Sequence, residues 1–295
     1  ESALDASVTG ANNTAIGKSA LTDLTSGAGN VCVGTSSGLE ITTGSNNTAV
    51  GVSSLFTQTT ASNNTAFGRS TLKLNTSGDE NVAVGANALD ANTTASHNTA
   101  IGYDSLGATT TGSENTGCGN SSLLKNTSGN NNTAVGRSSM VENTSGASNT
   151  AVGADSLKNN TTASNNTAVG KDALLTNTTG SENTALGADC LESNTTADNN
   201  TGVGFAALQN NTTGASNTAV GTGALINNTS GTENVAVGAF ALDASTTGGS
   251  NTALGYNSLS ANTTASDNTA VGTGSLFANT TGAQNVAVGT SSLDA

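Results

Sequence analysis

The stretch Asn149-Thr150-Ala151-Val152-Gly153 decides the fold, because it returns along the whole chain at a fixed interval. Its glycine recurs at Gly17, Gly34, Gly51 and onward to Gly289, always at the same distance, with no insertion or deletion. The asparagine four residues before that glycine is present in all seventeen copies. A fixed period of this kind is typical of repeat proteins, in which one unit is too small to fold alone.

The pattern inside one repeat indicates β-structure. The run NTAVG alternates, contains β-branched residues and ends in glycine, as a strand followed by a turn does. A leucine four residues after the glycine, followed by an NTT or NTS run, predicts a second extended piece. We therefore expect an all-β parallel β-solenoid, or β-roll, with 17 residues per coil and about 17 coils. One uninterrupted array over residues 1–295 is expected, with both ends cut in mid-repeat and coils stacked about 4.8 Å apart.

Substitutions between copies predict which side chains point inward. Three residues before the glycine, Thr alternates with Val, which has the same shape, so this position is expected to face the core together with the Val two residues later. The residue between them is Ala, Gly or Cys in every copy and is expected to face outward. An outward position limited to small residues predicts close approach of a second surface. The interface candidates are Ala15, Ala49, Ala66, Ala134, Ala151, Ala168, Ala185 and Ala219.

Charge and hydropathy exclude several classes of function. The net charge is −13, from 20 acidic and 7 basic residues, which excludes a basic nucleic-acid footprint. No run of 18 apolar residues is present, so membrane insertion is not expected. All 27 charged residues fall at positions that we interpret as solvent-facing corners between the extended pieces.

The sequence predicts no enzymatic activity, no cofactor and no metal site. His97 is the only histidine and occupies a corner position. The glycines serve turns, and no phosphate-binding or dinucleotide-binding motif opens a helix. Cys32, Cys118 and Cys190 replace small apolar residues of other copies, so each is interpreted as a core filler.

Two features could carry function beyond shape. Sequons of the type N-x-S/T are dense, and in an N-glycosylating source they would be acceptors; the alternative is that Asn and Thr simply suit turns and ladders. Rows of threonine also suggest an ice-binding surface, although the NTT pairs are adjacent and only alternate residues of a strand share a face. The glycosylation candidates in NTT and NTS runs are Asn75, Asn92, Asn126, Asn143, Asn160, Asn177, Asn194, Asn211, Asn228, Asn262 and Asn279; NNT runs add Asn12, Asn46, Asn63, Asn131, Asn165 and Asn199.

The repeat NTAVGxxAL…NTTG resembles the repeats of bacterial and phage surface fibres of the tail-fibre type, over the whole chain. More loosely it is similar to the SVAIG repeats in the head of YadA-type trimeric autotransporter adhesins. The four residues after the serine of that motif correspond here to Thr150, Ala151, Val152 and Gly153 and their equivalents. The resemblance implies a left-handed parallel β-roll, with three chains side by side, displayed outside the cell.

These observations favour a structural segment of an extracellular fibre or surface appendage, with an adhesive role left open. The expected partner is a further copy of the chain, as a trimer or a laterally assembled fibre, and surface glycans are a further candidate. The alternative function is a binding surface for ice or glycans, built on the neutral Thr/Asn face. We expect it at the surface of a cell or virion.

Overall fold

The computed structural model describes residues 2–4 and 6–294, which form β-strands and turns without any helix. The chain divides into two compact units, residues 1–148 and residues 149–295. Each unit is a parallel β-solenoid in which successive strands follow one another at the interval of one repeat. The predicted fold class is therefore confirmed. A single array over residues 1–295 and a left-handed coil stay predictions.

Every coil contains one strand of three residues, placed directly before the recurring glycine. The strands of the first unit are β1 Thr14–Ile16, β2 Val31–Val33, β3 Thr48–Val50, β4 Thr65–Phe67, β5 Val82–Val84, β6 Thr99–Ile101, β7 Thr116–Cys118 and β8 Thr133–Val135. Those of the second unit are β9 Thr150–Val152, β10 Thr167–Val169, β11 Thr184–Leu186, β12 Thr201–Val203, β13 Thr218–Val220, β14 Val235–Val237, β15 Thr252–Leu254, β16 Thr269–Val271 and β17 Val286–Val288.

Within each unit, neighbouring strands pair in parallel and in perfect register. Thr167 of β10 lies opposite Thr184 of β11, and Ala168 lies opposite Ala185. Because the offset always equals one repeat, each side chain stacks on its own equivalent in the next coil. This register turns one sequence position into a continuous row of side chains along the unit.

The prediction of a second strand in each coil is wrong. The residues after the glycine form turns throughout the described chain, because two of them adopt left-handed backbone conformations. In one coil these are Asp172, with φ of 57°, and Leu174, with φ of 51°. Leucine rarely adopts this conformation, yet Leu174 is fully buried. The buried leucine therefore lies in a tight turn, at a position where the sequence pattern predicts an extended segment.

The predicted orientation of the strand residues is also wrong. The central alanine points inward: Ala49, Ala66, Ala134, Ala151, Ala168, Ala185 and Ala219 are fully buried, and Ala15 in the first coil is half-buried. The flanking Thr or Val and the following aliphatic residue point outward instead. One coil encloses little space, and the buried leucine and asparagines occupy most of it. The small size of the central residue therefore reflects a narrow interior and carries no evidence for an external surface.

Paired substitutions confirm how tightly that interior is filled. Cys32 replaces the central alanine in the coil where Gly38 replaces the buried leucine, and a Cβ built on Gly38 would lie 2.5 Å from the Cys32 sulfur. Likewise, a Cβ built on Gly202 would lie 2.5 Å from the Cys190 sulfur. Each large residue is thus matched by a glycine that it touches, as expected for an interior packed to crystal-like density.

Two columns of buried asparagine complete the core. The first precedes each strand: Asn200 donates from Nδ2 to the carbonyl of Gly214 at 2.9 Å, and its Oδ1 accepts the backbone N–H of Asn217 at 3.0 Å. The Asn200 side chain thereby connects the start of its own strand to the turn at Gly214 and to Asn217, which precedes the next strand. This explains why the asparagine never varies, because aspartate lacks the donor and glutamine is longer.

The second asparagine column lies seven residues after the glycine and is interrupted. Asn92 donates from Nδ2 to Oδ1 of Asn75 at 2.8 Å, and the same bond repeats from Asn194 to Asn177 at 2.9 Å. The next residue of the column after Asn92 is Thr109, which cannot reach the Asn92 amide. As a result Asn92 Oδ1 and Thr109 Oγ1 are buried without a hydrogen-bond partner.

Replacing Thr109 with asparagine should therefore stabilise the protein. The new Nδ2 would donate to Asn92 Oδ1, and removing two unsatisfied buried atoms is worth about 1–2 kcal/mol. Ser245→Asn should act likewise, because Asn228 Oδ1 and Ser245 Oγ are unsatisfied in the same way. Urea denaturation followed by circular dichroism measures the gain. The exposed Thr111→Asn is the control and should change nothing; equal stability of T109N and T111N would contradict the argument.

Candidate functional site: the strand face

The strand face consists of the first and third residues of the strands, which point away from the core. Alternation along a strand places these two residues on one side and the central alanine on the other. The first residue is Thr in thirteen strands and Val in four. The third is Val, Ile, Leu, Phe or Cys. Within each unit the face is thus a row of β-branched residues beside a row of apolar ones.

Large apolar side chains on this face are exposed to solvent. The exposed fraction is 55% for Phe67, 42% for Ile101 and 47% for Leu186. None of the strands in the described chain contains Asp, Glu, Lys, Arg or His. An apolar row without charge is unusual on a monomer, where extended apolar patches mark surfaces that bind something.

The threonine hydroxyls of the strand face are also unpartnered. In the described residues none of them makes a side-chain hydrogen bond within the chain. A second threonine row, eight residues after the glycine, behaves differently: Thr178 Oγ1 donates to the carbonyl of Thr195 at 3.0 Å, and Thr212 Oγ1 to that of Thr229 at 2.8 Å. The second row is therefore engaged in stacking the coils, whereas the strand-face hydroxyls are available to a ligand.

The charged residues lie at the corners, as the sequence indicates, and in the described chain all but Asp155 are at least partly exposed; Asp155 is buried, with 7% of its surface exposed. His97 Nε2 lies 3.2 Å from Glu80 Oε2, with both side chains more than half exposed. Lys125 Nζ lies 2.7 Å from Glu142 Oε2 of the next coil. Exposed pairs of this kind contribute little to stability. His97 thus lies at a corner, as predicted, and in the described chain its side chain forms an ion pair with Glu80 alone.

The eleven NTT and NTS asparagines face the interior of the coils, so the folded chain does not present them as accessible acceptors, and their glycosylation stays a prediction. They are the residues of the second asparagine column, so their Nδ2 atoms donate to backbone carbonyls; Asn177 Nδ2, for example, lies 2.8 Å from the Gly180 oxygen. N-glycans attach through this nitrogen. Ten side chains are fully buried and one is half-buried: Asn75, Asn92, Asn126, Asn143, Asn160, Asn177, Asn194, Asn211, Asn228, Asn262, and Asn279 in the last case.

The NNT asparagines lie in a different environment. Each is exposed and adopts a left-handed conformation with φ near 60°, a conformation that asparagine tolerates better than most residues. Backbone preference therefore accounts for asparagine at this corner. The six residues are Asn12, Asn46, Asn63, Asn131, Asn165 and Asn199.

The three cysteines are free thiols in different environments. Burial raises the pKa of Cys32 to about 12 and that of Cys190 to about 12, because the surrounding apolar interior disfavours a thiolate. Cys118 is the third residue of β7 and lies on the strand face, partly exposed.

Alkylation should therefore distinguish the three thiols. Iodoacetamide attacks the thiolate, so at pH 8 the native protein should be modified at Cys118 alone within minutes, and at all three cysteines after denaturation. Peptide mass spectrometry measures the modified fractions. Faster modification of Cys32 than of Cys118 would show that the central strand residue faces outward and would contradict the observed core.

The described residues contain no group of three or more His, Cys, Asp and Glu side chains arranged to hold a metal ion. They also contain no helix long and apolar enough to cross a membrane. Neither a family model nor a curated protein matches the chain in comparisons with known proteins.

The strand face differs from the face that the sequence pattern predicts, although one signal in the sequence indicates it. The loss of the buried leucine at Gly38 coincides with the only cysteine at the central strand position, Cys32. Such compensation indicates that the two positions touch inside the core. Since the leucine is a core residue, the central strand residue must face inward as well.

Proposed function

We propose that this protein is a structural segment of an extracellular fibre or surface appendage and that it assembles with further copies through the strand face. The observation that carries the proposal is the uncharged strand face, with exposed apolar side chains beside unpartnered threonine hydroxyls. In a chain of net charge −13, this face allows two copies to meet without desolvating an ionised group, which would be costly. The proposed segment has no catalytic role.

The interior supports a structural role. The buried polar groups of each coil form hydrogen bonds that reach the neighbouring coil. Asn217 Nδ2 donates to the Gly231 carbonyl at 2.8 Å, and Asn217 Oδ1 accepts the backbone N–H of Asn234 at 3.0 Å. Backbone groups of the turns bond between coils too, as from Leu174 N to the Cys190 oxygen at 3.0 Å. Each unit is thus held together along its strands by nearest-neighbour interactions between coils, which suits a load-bearing or spacing element.

The strand-face triple variant tests the assembly. Replacing Val152, Val169 and Leu186 with glutamate places a row of charges on one side of β9, β10 and β11 while leaving the buried alanines untouched. Like charges would oppose association, so the mass measured by light scattering should fall from an oligomer to a monomer. The matched control places glutamate at exposed Thr162, Thr179 and Thr196 of the same coils and should keep the native mass.

Two outcomes contradict the assembly. One is a monomeric wild-type protein, and the other is an unchanged mass for the strand-face variant.

The second candidate function, an ice-binding surface, is favoured by the same uncharged strand face. A threonine hydroxyl and an apolar group alternate there across one inward alanine, and they repeat at the strand spacing of about 4.8 Å. A monomeric wild type that inhibits ice recrystallisation, with loss of inhibition in the strand-face variant, would support it over assembly.

A further inference from the structure

Aromatic side chains lie almost entirely on the surface of this protein. The chain contains five Phe and two Tyr, and six of these seven side chains are exposed. Aromatic residues normally contribute to cores, but a coil filled by alanine, leucine and asparagine leaves no space for a ring. The narrow interior explains why the rings are outside, yet four of them lie within two residues after the glycine, at turn positions that carry small or polar residues in most other coils. The exposed rings are Phe67, Tyr103, Phe205, Phe240, Tyr256 and Phe277.

Three of these rings lie in the turn that follows the strand, within four successive coils of the second unit. We define the aromatic corner as Phe205, Thr222, Gly223, Phe240 and Tyr256. Backbone hydrogen bonds connect it from coil to coil: Gly223 N donates to the Phe205 carbonyl, and Phe240 N to that of Thr222, both at 3.0 Å. The rings of Phe240 and Tyr256 meet edge to face, with centroids 6.4 Å apart.

Phe240 is held in an unfavourable backbone conformation. Its φ is 55°, in the left-handed region that bulky side chains rarely adopt. The equivalent residues of the other described coils are Ser, Asn, Asp, Gly or Ala. The ring nevertheless covers Gly223, where an added Cβ would come within 3.0 Å of two ring carbons. A strained residue that stays 41% exposed does not serve packing alone, and such strain is typical of binding sites.

The aromatic corner is free of charge, unlike the same corner elsewhere in the second unit. The two residues after the glycine include no Asp, Glu, Lys, Arg or His from residue 205 to residue 274. In the preceding coils the same two positions carry Asp155, Lys171, Asp172 and Asp189. The residues of the aromatic corner therefore offer no charged group to an anionic or cationic ligand, and the carboxylate of Asp243, three residues after Phe240, accepts a hydrogen bond from the Ser260 hydroxyl. The aromatic corner thus matches an uncharged ligand.

We propose that the aromatic corner binds a neutral polysaccharide chain. The apolar faces of pyranose rings stack on exposed aromatic rings, and Thr222, the Tyr256 hydroxyl and Asn257 supply uncharged donors and acceptors beside them. Phe205 and Tyr256 are separated by three coils, or roughly 14 Å at the strand spacing. This length suits a chain of several sugar rings better than a single sugar. The site is distinct from the strand face and does not depend on assembly through it.

Native affinity electrophoresis of the full chain tests the proposal. Gels containing dextran, laminarin, galactomannan or xyloglucan should show that at least one neutral polymer retards the wild type, whereas anionic alginate should not. The double variant Phe205→Ser, Tyr256→Ser should lose at least tenfold in apparent affinity. Tyr103→Ser, which removes a similarly exposed ring from the first unit, is the matched control and should bind as the wild type does.

Phe240→Asn separates binding from folding. Asparagine tolerates the left-handed conformation, so this variant should have a melting temperature equal to or above that of the wild type and yet bind about tenfold more weakly. The proposal is overturned if none of the four neutral polymers retards the wild type, if the double variant binds unchanged, or if alginate retards it equally. A lower melting temperature for F240N would also overturn it, as would a change in oligomer mass for the double variant, which would identify a contact between copies.

Discussion

Replacing Gly187 with alanine should destabilise the second unit by about 4 kcal/mol or more, from left-handed strain and overpacking together. Gly187 closes β11 with a φ of 144°, and a Cβ built there would lie 2.3 Å from the carbonyl oxygen of Gly204 in the next coil. That obstacle is backbone, which cannot rotate away as a side chain can. The next coil would have to move, and its strand would leave the register that aligns every row.

The expected loss is large enough to measure in simple ways. At about 2–4 °C per kcal/mol for a folding unit of this size, the melting temperature should fall by roughly 10 °C. Gly274→Ser is the matched control: its φ is 62°, an added Cβ meets only the Ser291 hydroxyl at 3.5 Å, and serine is common at this position. If G187A and G274S melt within about 2 °C of each other, the close backbone approach is not what requires glycine.

Replacing Asn200 with alanine should also cost about 4 kcal/mol, because two buried backbone groups lose their partners. The Gly214 carbonyl would lose the Asn200 amide and the Asn217 backbone N–H would lose its acceptor. Each buried backbone group left without a partner costs about 1–3 kcal/mol. The small cavity left by the missing amide adds to this loss.

The neighbouring residue supplies the control. Asn199 is exposed and has a φ of 61°, so Asn199→Gly keeps the backbone conformation and removes only a solvated side chain. Urea titration should therefore separate two adjacent asparagines of the same sequence type by about 3 kcal/mol or more. Equal midpoints for N200A and N199G would mean that water replaces the buried amide, and would contradict a stabilising role for the first asparagine column.

The contacts of Gly187 and Asn200 explain why some positions of the repeat are invariant while others vary. Gly187 and Asn200 each interact with the adjacent coil, so a change at one of them affects two coils at once. A corner residue such as Asn199 faces solvent and can change freely. Function is therefore expected where a freely variable position carries an unfavourable residue, as Phe240 does.

The sequence by itself determined the architecture. An unbroken repeat period, one invariant asparagine and one invariant glycine are sufficient to predict a parallel β-solenoid, because only stacked coils place equivalents side by side at every repeat. The charges at the corners followed from the same numbering. Those predictions needed no knowledge of which side of the strand is the inside.

Only the tertiary structure decided the direction of the side chains, and with it the candidate surfaces. Thr and Val suit both an outward row and an inward one, since both are β-branched, and alanine fits either a crowded interface or a crowded core. The space left inside the coil distinguishes these cases. That space depends on Leu174, buried in a left-handed turn, and on asparagines such as Asn177 and Asn200, turned inward against carbonyls. The same inward turn removes the NTT amides from solvent, whereas the linear sequence presents every sequon alike.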